Sequence, residues 1–222
     1  MSRSQRGINP AAGPLDRLTR SVVDYYESKL AQFGPTAKGM DWNGEASQAL
    51  RFSVLCGICD LDGTSVHDVG AGAGHLLSYF KDKGLNVEYS GSDLSESMVK
   101  AALEGHPKAQ ITRRDILTAK GAERYDVVMC SGLFHVKLRA AEKDWQVFVR
   151  SMIRKMYEMC RIGIAFNLMS DRIDYREKAL YYSNPGEMLD FCRMELSPHV
   201  LLRQDYPLHE YTTYVYRNPP ER

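Results

Sequence analysis

The spacing of hydrophobic residues predicts two helices in the first quarter of the chain. Leucine, valine and tyrosine recur every three or four positions over 14–33, and the Gly-Pro pair that follows ends this pattern. A second helical pattern covers 45–58. We expect the two helices to form a helical lid over 14–60. The Ser-, Arg-, Gly- and Pro-rich residues 1–13 are predicted to be a disordered lead.

From residue 65 onward, short apolar runs alternate with helical patterns. The predicted strands are SVHDV, VEYSGSD, AQITRRD, YDVVMCS and RIGIAFNLM, and the predicted helices are HLLSYFKDK, SESMVKAALEG and EKDWQVFVRSMIRKMYEM. Strands that alternate with helices in this way are typical of βαβ units, in which helices cover both faces of a parallel sheet.

The end of the chain departs from this alternation. After a helical pattern over 186–193, the runs SPHVLLRQDY and EYTTYVYR are joined by a short connection that contains proline. A parallel return needs a crossover of about a dozen residues, so these two strands are expected to pair antiparallel. The sequence therefore predicts a doubly wound, mostly parallel α/β sheet with a terminal antiparallel hairpin, all within one domain over 61–222.

Composition and charge narrow the function. The chain has 29 Lys and Arg against 28 Asp and Glu, a net charge of +1, so no overall field favours binding to nucleic acid. The five cysteines lie mostly in apolar runs, and the Cys56/Cys59 pair has no second pair at zinc-ligand spacing. Because the N-terminal residues lack an apolar core we expect no secretory signal, and no apolar run approaches the roughly 20 residues of a membrane span. We expect a soluble cytoplasmic protein without metal or membrane contact. A homodimer is possible.

The stretch DVGAGAG follows the first predicted strand directly. Gly70, Gly72 and Gly74 make this the first βα turn of the sheet, and ligands of such sheets bind at the carboxyl ends of the strands. One glycine permits the tight turn, one lets a ligand touch the backbone, and one allows the next helix to pack closely. The motif predicts the floor of a nucleotide-like pocket, and a simple tight turn is the alternative.

Two acidic residues near the ends of the next strands support a nucleotide-like ligand. Asp93 closes the second strand about twenty residues after the loop, where a carboxylate can accept hydrogen bonds from both ribose hydroxyls. Asp115 closes the third strand, where it can accept from an exocyclic amine while Ile116 packs against a flat ring. Each acidic residue alone can equally serve as a turn or capping residue.

The glycine spacing distinguishes two classes of ligand. A dinucleotide fold uses GxGxxG, whereas this loop reads GxGxG with Asp68 two positions ahead of it. A carboxylate is poorly placed beside a pyrophosphate, but it suits a ligand that carries an ammonium and a sulfonium group. The terminal antiparallel hairpin also argues against the usual dinucleotide fold.

On these motifs the chain resembles the class I (Rossmann-like) S-adenosylmethionine-dependent methyltransferases. The resemblance covers 45–217 and rests on DVGAGAG, GSDLS, RRDIL and YDVVMCSGLFH. It implies a seven-stranded sheet, with the last strand antiparallel beside the fifth, and S-adenosylmethionine (SAM) as the cofactor. The cofactor-binding residues expected in this pocket are Asp68, Gly70, Ala71, Gly72, Gly74, Asp93, Leu94, Asp115, Ile116 and Ser131.

In such enzymes the N-terminal segment commonly folds over the cofactor as a lid. Tyr25, Tyr26 and Trp42 are then expected to cover the sulfonium, through cation–π attraction of roughly 0.5–2 kcal/mol. Arg51 is expected to pair with the methionyl carboxylate. The alternatives are that the rings cap the core and that Arg51 is a solvated helix residue.

Methyl transfer is an in-line displacement, so the protein mainly has to position the acceptor and exclude water. His135 is the candidate base for a hydroxyl or amine acceptor, with a helix cap or a packing residue as the alternative. The residues expected to contact the acceptor are Phe134, Asn167, Tyr181 and Tyr182. The leading prediction is methylation of an O or N atom of a small metabolite. An NAD(P)-dependent oxidoreductase and a non-catalytic SAM-binding module are the alternatives.

Overall fold

The computed structural model describes residues 14–119 and 123–220. The predicted disordered lead, 1–13, lies outside the described residues. The helices are α1 (Pro14–Phe33), α2 (Glu45–Leu55), α3 (His75–Asp82), α4 (Glu96–Gly105), α5 (Glu142–Met159) and α6 (Pro185–Glu195), and a 3₁₀ turn over Cys56–Ile58 extends α2. The strands are β1 (Ser65–Val69), β2 (Glu88–Asp93), β3 (Gln110–Arg113), β4 (Tyr125–Cys130), β5 (Cys160–Ser170), β6 (Tyr182–Ser183), β7 (Val200–Arg203) and β8 (Glu210–Tyr216).

The main sheet has the strand order β3-β2-β1-β4-β5-β8-β7. The first five strands are parallel, and β8 lies antiparallel between β5 and β7, with Gly163 opposite Tyr216 and Met169 opposite Glu210. The predicted doubly wound sheet and terminal antiparallel hairpin are confirmed. The pattern did not predict β6, a two-residue strand that pairs with the end of β5, because it is too short to show a period.

Alternation along the strands divides the core into two layers. In β4, Val127 and Met129 face a layer formed with α2, α3 and α4, whereas Val128 and Cys130 face a layer formed with α5 and α6. Leu18 and Val22 of α1 join the second of these layers. The helices therefore bury both faces of the sheet, and the carboxyl ends of the parallel strands form one edge beneath the N-terminal segment.

The N-terminal segment is anchored on the sheet through α2 and the turn that follows it. Phe52 and Leu55 are buried in the same layer as Val127 and Met129. The hydroxyl of Tyr214 donates to the carbonyl of Val54, and that of Tyr216 donates to the carbonyl of Ile58. Thus α2 shares the sheet's own core, while α1 and the connection between α1 and α2 lie over the strand ends. A domain boundary at residue 60 stays a prediction.

The cysteines are free thiols, three of them buried and two half-buried. Burial raises the pKa of Cys56 to about 12 and that of Cys59 to about 11, and both side chains pack against the core, as packing residues would. Over 14–119 and 123–220, no group of three or more His, Cys, Asp and Glu side chains is arranged to hold a metal ion. No helix in this described part of the chain has the length and apolar character needed to cross a membrane.

Candidate functional site

The glycine motif forms a left-handed turn at the carboxyl end of β1. Gly70, Gly72 and Gly74 have φ angles of 75°, 53° and 80°, which L side chains rarely adopt. The N–H groups of Gly70 and Ala71 both donate to the carbonyl of Ser92 in β2, at 2.8 and 3.0 Å. A Cβ at Gly72 would lie only 3.0 Å from the Met40 sulfur. Met40, in the connection between α1 and α2, therefore packs closely over this glycine.

Gly74 differs from the other two glycines. It precedes α3, and a Cβ there would lie 3.0 Å from the His106 ring and 3.5 Å from Ala102 of α4. Gly70 and Gly72 line a cavity at the carboxyl ends of the strands, whereas Gly74 does not. Gly74 thus allows the close packing of helices that the motif predicts for one of its glycines, and its contact with the cofactor stays a prediction.

Asp93 connects β2 to the glycine turn. Its Oδ2 accepts a hydrogen bond from the N–H of Gly72 and its Oδ1 from the N–H of Ser95, both at 2.9 Å. Burial raises the pKa of Asp93, and these backbone donors act in the opposite direction. The carboxylate thus fixes the floor of the site, and each oxygen keeps a second lone pair for a ligand hydroxyl.

Asp68 lies beneath the turn, 3% exposed, in β1. Its Oδ2 accepts a hydrogen bond of 2.9 Å from the hydroxyl of Tyr89. Burial raises the pKa of Asp68 to about 7, although the Tyr89 hydrogen bond lowers it. Near neutral pH this carboxyl is therefore poised between its two forms. Tyr89 did not stand out in the sequence, because nothing in VEYSGSD marks a tyrosine that points under a neighbouring strand.

The cavity opens at the carboxyl ends of β1, β2, β3 and β4. Leu94, Asp115 and Ile116 form the side beyond β2 and β3, and the Oδ1 of Asp115 accepts from the N–H of Leu117 at 2.9 Å. The Oγ of Ser131 is buried without a hydrogen-bond partner and belongs to the same wall. Eleven of the predicted cofactor-binding residues line this cavity: Tyr26, Trp42, Asp68, Gly70, Ala71, Gly72, Asp93, Leu94, Asp115, Ile116 and Ser131.

The N-terminal residues over the cavity belong to α1, to the connection between α1 and α2, and to α2, which contributes Gln48 and Phe52. Tyr26 and Trp42 line the cavity together with Met40. Tyr25 does not line it; its hydroxyl instead donates to Asp41 at 2.6 Å, and Lys29 forms an ion pair with the same carboxylate at 2.6 Å. These two bonds attach the connection to α1.

Arg51 of α2 lies between Glu210 and the ring of Trp42. Its Nε lies 2.6 Å from Oε1 of Glu210, and its guanidinium lies 4.4 Å from the centre of the Trp42 ring. Arg51 does not line the cavity. This side chain already pairs with a buried carboxylate of its own chain, and its expected pairing with a cofactor carboxylate stays a prediction. Glu210 begins β8, and no motif in the sequence pointed to it.

His135 and Asn167 lie on the other side of Glu210. The Oδ1 of Asn167 accepts from the N–H of Gly132 at 2.8 Å, and its Nδ2 donates to Oε2 of Glu210 at 2.7 Å. The Nε2 of His135 lies 3.5 Å from the same oxygen. Burial and the charge of Arg51 lower the pKa of His135 to about 3, so its ring is neutral. Both residues are buried and neither lines the cavity, and their predicted roles as base and acceptor contact stay predictions.

The remaining predicted acceptor residues are also absent from the cavity wall. Phe134 is fully buried, packs edge-on against Phe166, and accepts at its carbonyl from the indole of Trp145. Tyr181 is 3% exposed in the core, and the Tyr182 hydroxyl accepts from the N–H of Glu177. These rings pack the core and stabilise the loop before α6, which agrees with the alternative of a packing role, and their contact with an acceptor stays a prediction.

Two comparisons with known sequences both indicate a methyltransferase. A family model described as a methyltransferase domain matches residues 67–162. The chain is 31% identical over 159 residues to the putative methyltransferase Rv1506c of Mycobacterium tuberculosis (strain ATCC 25618 / H37Rv), an alignment that spans 69% of this chain and 93% of that protein.

Solved structures share the fold. Magnesium protoporphyrin IX methyltransferase from Synechocystis PCC 6803, solved with bound SAM, superposes with a TM-score of 0.67 at 15% identity, over 95% of this chain and all of that one. The 1,6-didemethyltoxoflavin-N1-methyltransferase of Burkholderia thailandensis gives a TM-score of 0.61 at 17% identity, over 96% of each chain.

Proposed function

Because the chain belongs to the class I S-adenosylmethionine-dependent methyltransferases, we propose that it methylates an O or N atom of a small metabolite. The observation that carries the proposal is the covered cavity over the glycine turn. Its floor is backbone without side chains, fixed by Asp93, and its roof includes Tyr26 and Trp42. Such a chamber suits a reaction that depends on positioning two molecules and excluding water.

The cavity wall fits a nucleoside with a positively charged side chain. In this proposal Asp93 holds the ribose hydroxyls with its remaining lone pairs, and Leu94 and Ile116 pack on the adenine ring beside Asp115. The unpartnered hydroxyl of Ser131 is available to the amino-acid end of the cofactor. Burial raises the pKa of Asp68, and a positively charged ligand nearby would favour its carboxylate form.

When bound, SAM supplies a methyl group that is already activated by its sulfonium. The chain's own residues then have to orient the acceptor and keep water away, and such orientation is worth about 7–11 kcal/mol. Tyr26 and Trp42 bring two aromatic rings to the cavity, where rings can attract a cationic centre. With its pKa lowered to about 3, His135 is a weak base, so we assign the catalysis mainly to positioning.

A small acceptor is supported by the relatives that share the fold. Two of these are methyltransferases of magnesium protoporphyrin IX and of 1,6-didemethyltoxoflavin, which are both small molecules. In our proposal residues 14–60 act as the lid, and the acceptor reaches the cavity beside Trp42, where the roof is not part of a helix or strand.

Titration calorimetry with S-adenosylhomocysteine (SAH) and, separately, with NADH tests the cofactor. We expect SAH to bind and NADH not to bind; NADH binding without SAH binding would overturn the proposal. A metabolite extract incubated with SAM and analysed by mass spectrometry then tests turnover, through products that gain one methyl group. SAH binding without any methylated product would favour the non-catalytic module instead.

A further inference from the structure

Five residues from five parts of the chain form a closed ring of contacts beside the cavity. Arg51 of α2 stacks on Trp42 and pairs with Glu210 of β8. Glu210 accepts a hydrogen bond from Asn167 of β5, and Asn167 accepts one from the N–H of Gly132 after β4. Gly132 completes the ring, because it lies directly against Trp42: a Cβ added to this glycine would overlap the indole.

The ion pair in this ring is buried. The Arg51 side chain is 12% exposed and that of Glu210 is 2% exposed. Both carboxylate oxygens of Glu210 are engaged, one with Arg51 and the other with Asn167. Removal of one partner of such a pair leaves an uncompensated charge in a poorly solvated place, so the remaining partner is driven to move or to admit water.

Trp42 is the member of the ring that faces the cavity. It also lines a cleft on the outer surface, with Lys29, Lys38 and Glu45, so its ring stands between that cleft and the cavity. The residue lies outside any helix or strand. Its position over Gly132 therefore depends on side-chain contacts, of which the Arg51 guanidinium at 4.4 Å and the edge of His135 at 6.0 Å are two.

We propose that Glu210 is a positioning residue for methyl transfer, which acts through Arg51 and Asn167 to fix Trp42 over Gly132 and keep the cofactor cavity closed. The inference rests on the proposed function, since it takes this cavity as the cofactor site. The position of Trp42 can nevertheless be measured without any ligand. Glu210 itself does not line the cavity, so its effect on the reaction is indirect.

The variant Glu210→Gln separates charge from shape. Glutamine keeps the size of the side chain and an oxygen that accepts from Asn167, but it cannot balance the charge of Arg51. We expect the folded variant to show Trp42 more accessible to acrylamide than in the wild-type protein. Trp145, the other tryptophan, is 1% exposed and gives a constant background that the Trp42→Phe variant measures separately.

A second readout is the rate at which SAH leaves, measured by stopped-flow fluorescence. An opened roof should raise this rate by about tenfold, the size expected when Trp42 loses its cation–π contact with Arg51. The matched control is Glu195→Gln, which removes the same charge from an exposed pair with Arg154 at 2.6 Å. This control should leave both readouts unchanged.

A double-mutant cycle distinguishes the ring from a general loss of stability. The double variant Arg51→Gln/Glu210→Gln leaves no buried charge without its partner. The increase in its SAH dissociation rate should therefore be smaller than the product of the increases in the two single variants. If Glu210→Gln does not fold, Arg51→Lys is the substitute, because lysine keeps the charge but loses the planar stack on Trp42. It should expose Trp42 as well.

Unchanged acrylamide quenching of Trp42 in folded Glu210→Gln, or in its substitute Arg51→Lys, would overturn the inference. So would an equal change in Glu195→Gln. If wild-type protein fails to bind SAH while the quenching changes as expected, the proposed cofactor is wrong but the role of Glu210 in holding Trp42 stands. The two failures are therefore distinguishable.

Discussion

The backbone N–H of Gly72 donates a 2.9 Å hydrogen bond to the half-buried carboxylate of Asp93. This bond joins the turn after β1 to the end of β2, so the residue proposed to hold the ribose also fixes the floor on which the cofactor lies. Any substitution at Asp93 therefore acts on the ligand and on the turn together.

The variant Asp93→Ala should weaken SAH binding by about 1–3 kcal/mol, because ligand hydroxyls would lose their acceptor. Titration calorimetry measures the affinity, and circular dichroism checks that the variant is folded. Asp174→Ala, an acidic residue exposed in the loop before α6, is the control and should bind normally. An unchanged affinity in Asp93→Ala would show that the ribose assignment is wrong.

Replacement of Tyr89 by Phe removes the hydroxyl that donates to Asp68. Because that hydrogen bond lowers the pKa of Asp68, its loss should raise the pKa above the present value of about 7. A carboxyl-carbon NMR titration of the free protein measures this shift. Tyr79→Phe, on the surface of α3, is the matched control; a pKa of Asp68 that does not differ between the two variants contradicts the assignment.

The substitution Gly132→Ala should displace Trp42 and expose its indole. Gly132 has a φ of 72°, and an added methyl group would overlap the Trp42 ring. Gly84 has a φ of 67° and open space where a Cβ would lie, so Gly84→Ala carries the backbone strain, roughly 1–2 kcal/mol, without the collision. Both variants should lose stability in thermal unfolding, but only Gly132→Ala should shift the tryptophan emission to the red. Equal emission spectra would argue against contact between Trp42 and Gly132.

Acid should destabilise the fold through two buried histidines. Burial lowers the pKa of His67 to about 4 and that of His135 to about 3, below the value of about 6.5 in an unfolded chain. The unfolded state therefore binds more protons as the pH falls from about 6.5, and the free energy of unfolding decreases down to these lower pKa values. Thermal unfolding followed from pH 7 to pH 4 measures the trend.

His67 allows a direct check of that trend. Its two ring nitrogens bond to the hydroxyls of Ser90 and Ser92 at 2.8 and 3.0 Å, and it stacks on Tyr125. His67→Gln is expected to be less stable at pH 7 but to lose less of its remaining stability on acidification. Parallel pH dependence in the two proteins would exclude His67 as a source of the acid sensitivity.

Local sequence patterns predicted most of the elements, because each one carries its own signal. The bounds of α1, β1 and α5 agree with prediction: α1 ends at a Gly-Pro pair, β1 precedes the glycine motif, and α5 has a long helical period. The glycine turn and Asp93 were also predictable, since their spacing along the chain reflects one βα unit and the strand beside it.

The contacts that surround the cavity wall were not predictable from local pattern. Arg51 and Glu210 are far apart in sequence, and nothing near either one shows that they pair. Likewise Phe134 and Tyr181 follow strands at positions where an acceptor would be expected, but the interior had space for their rings. Which polar residue receives a buried partner, and which aromatic residue fills the core, is decided by packing in three dimensions.

Insertion of β8 between β5 and β7 has a consequence for biosynthesis. Every residue of β8 is buried, and the strand supplies Glu210 as well as the tyrosines that fasten α2. Until the ribosome has released Tyr216, the nascent chain holds β5 with an unpaired edge, and strands exposed in this way recruit other polypeptides. Translation that stalls shortly before this strand should therefore yield a chaperone client rather than a partly active enzyme.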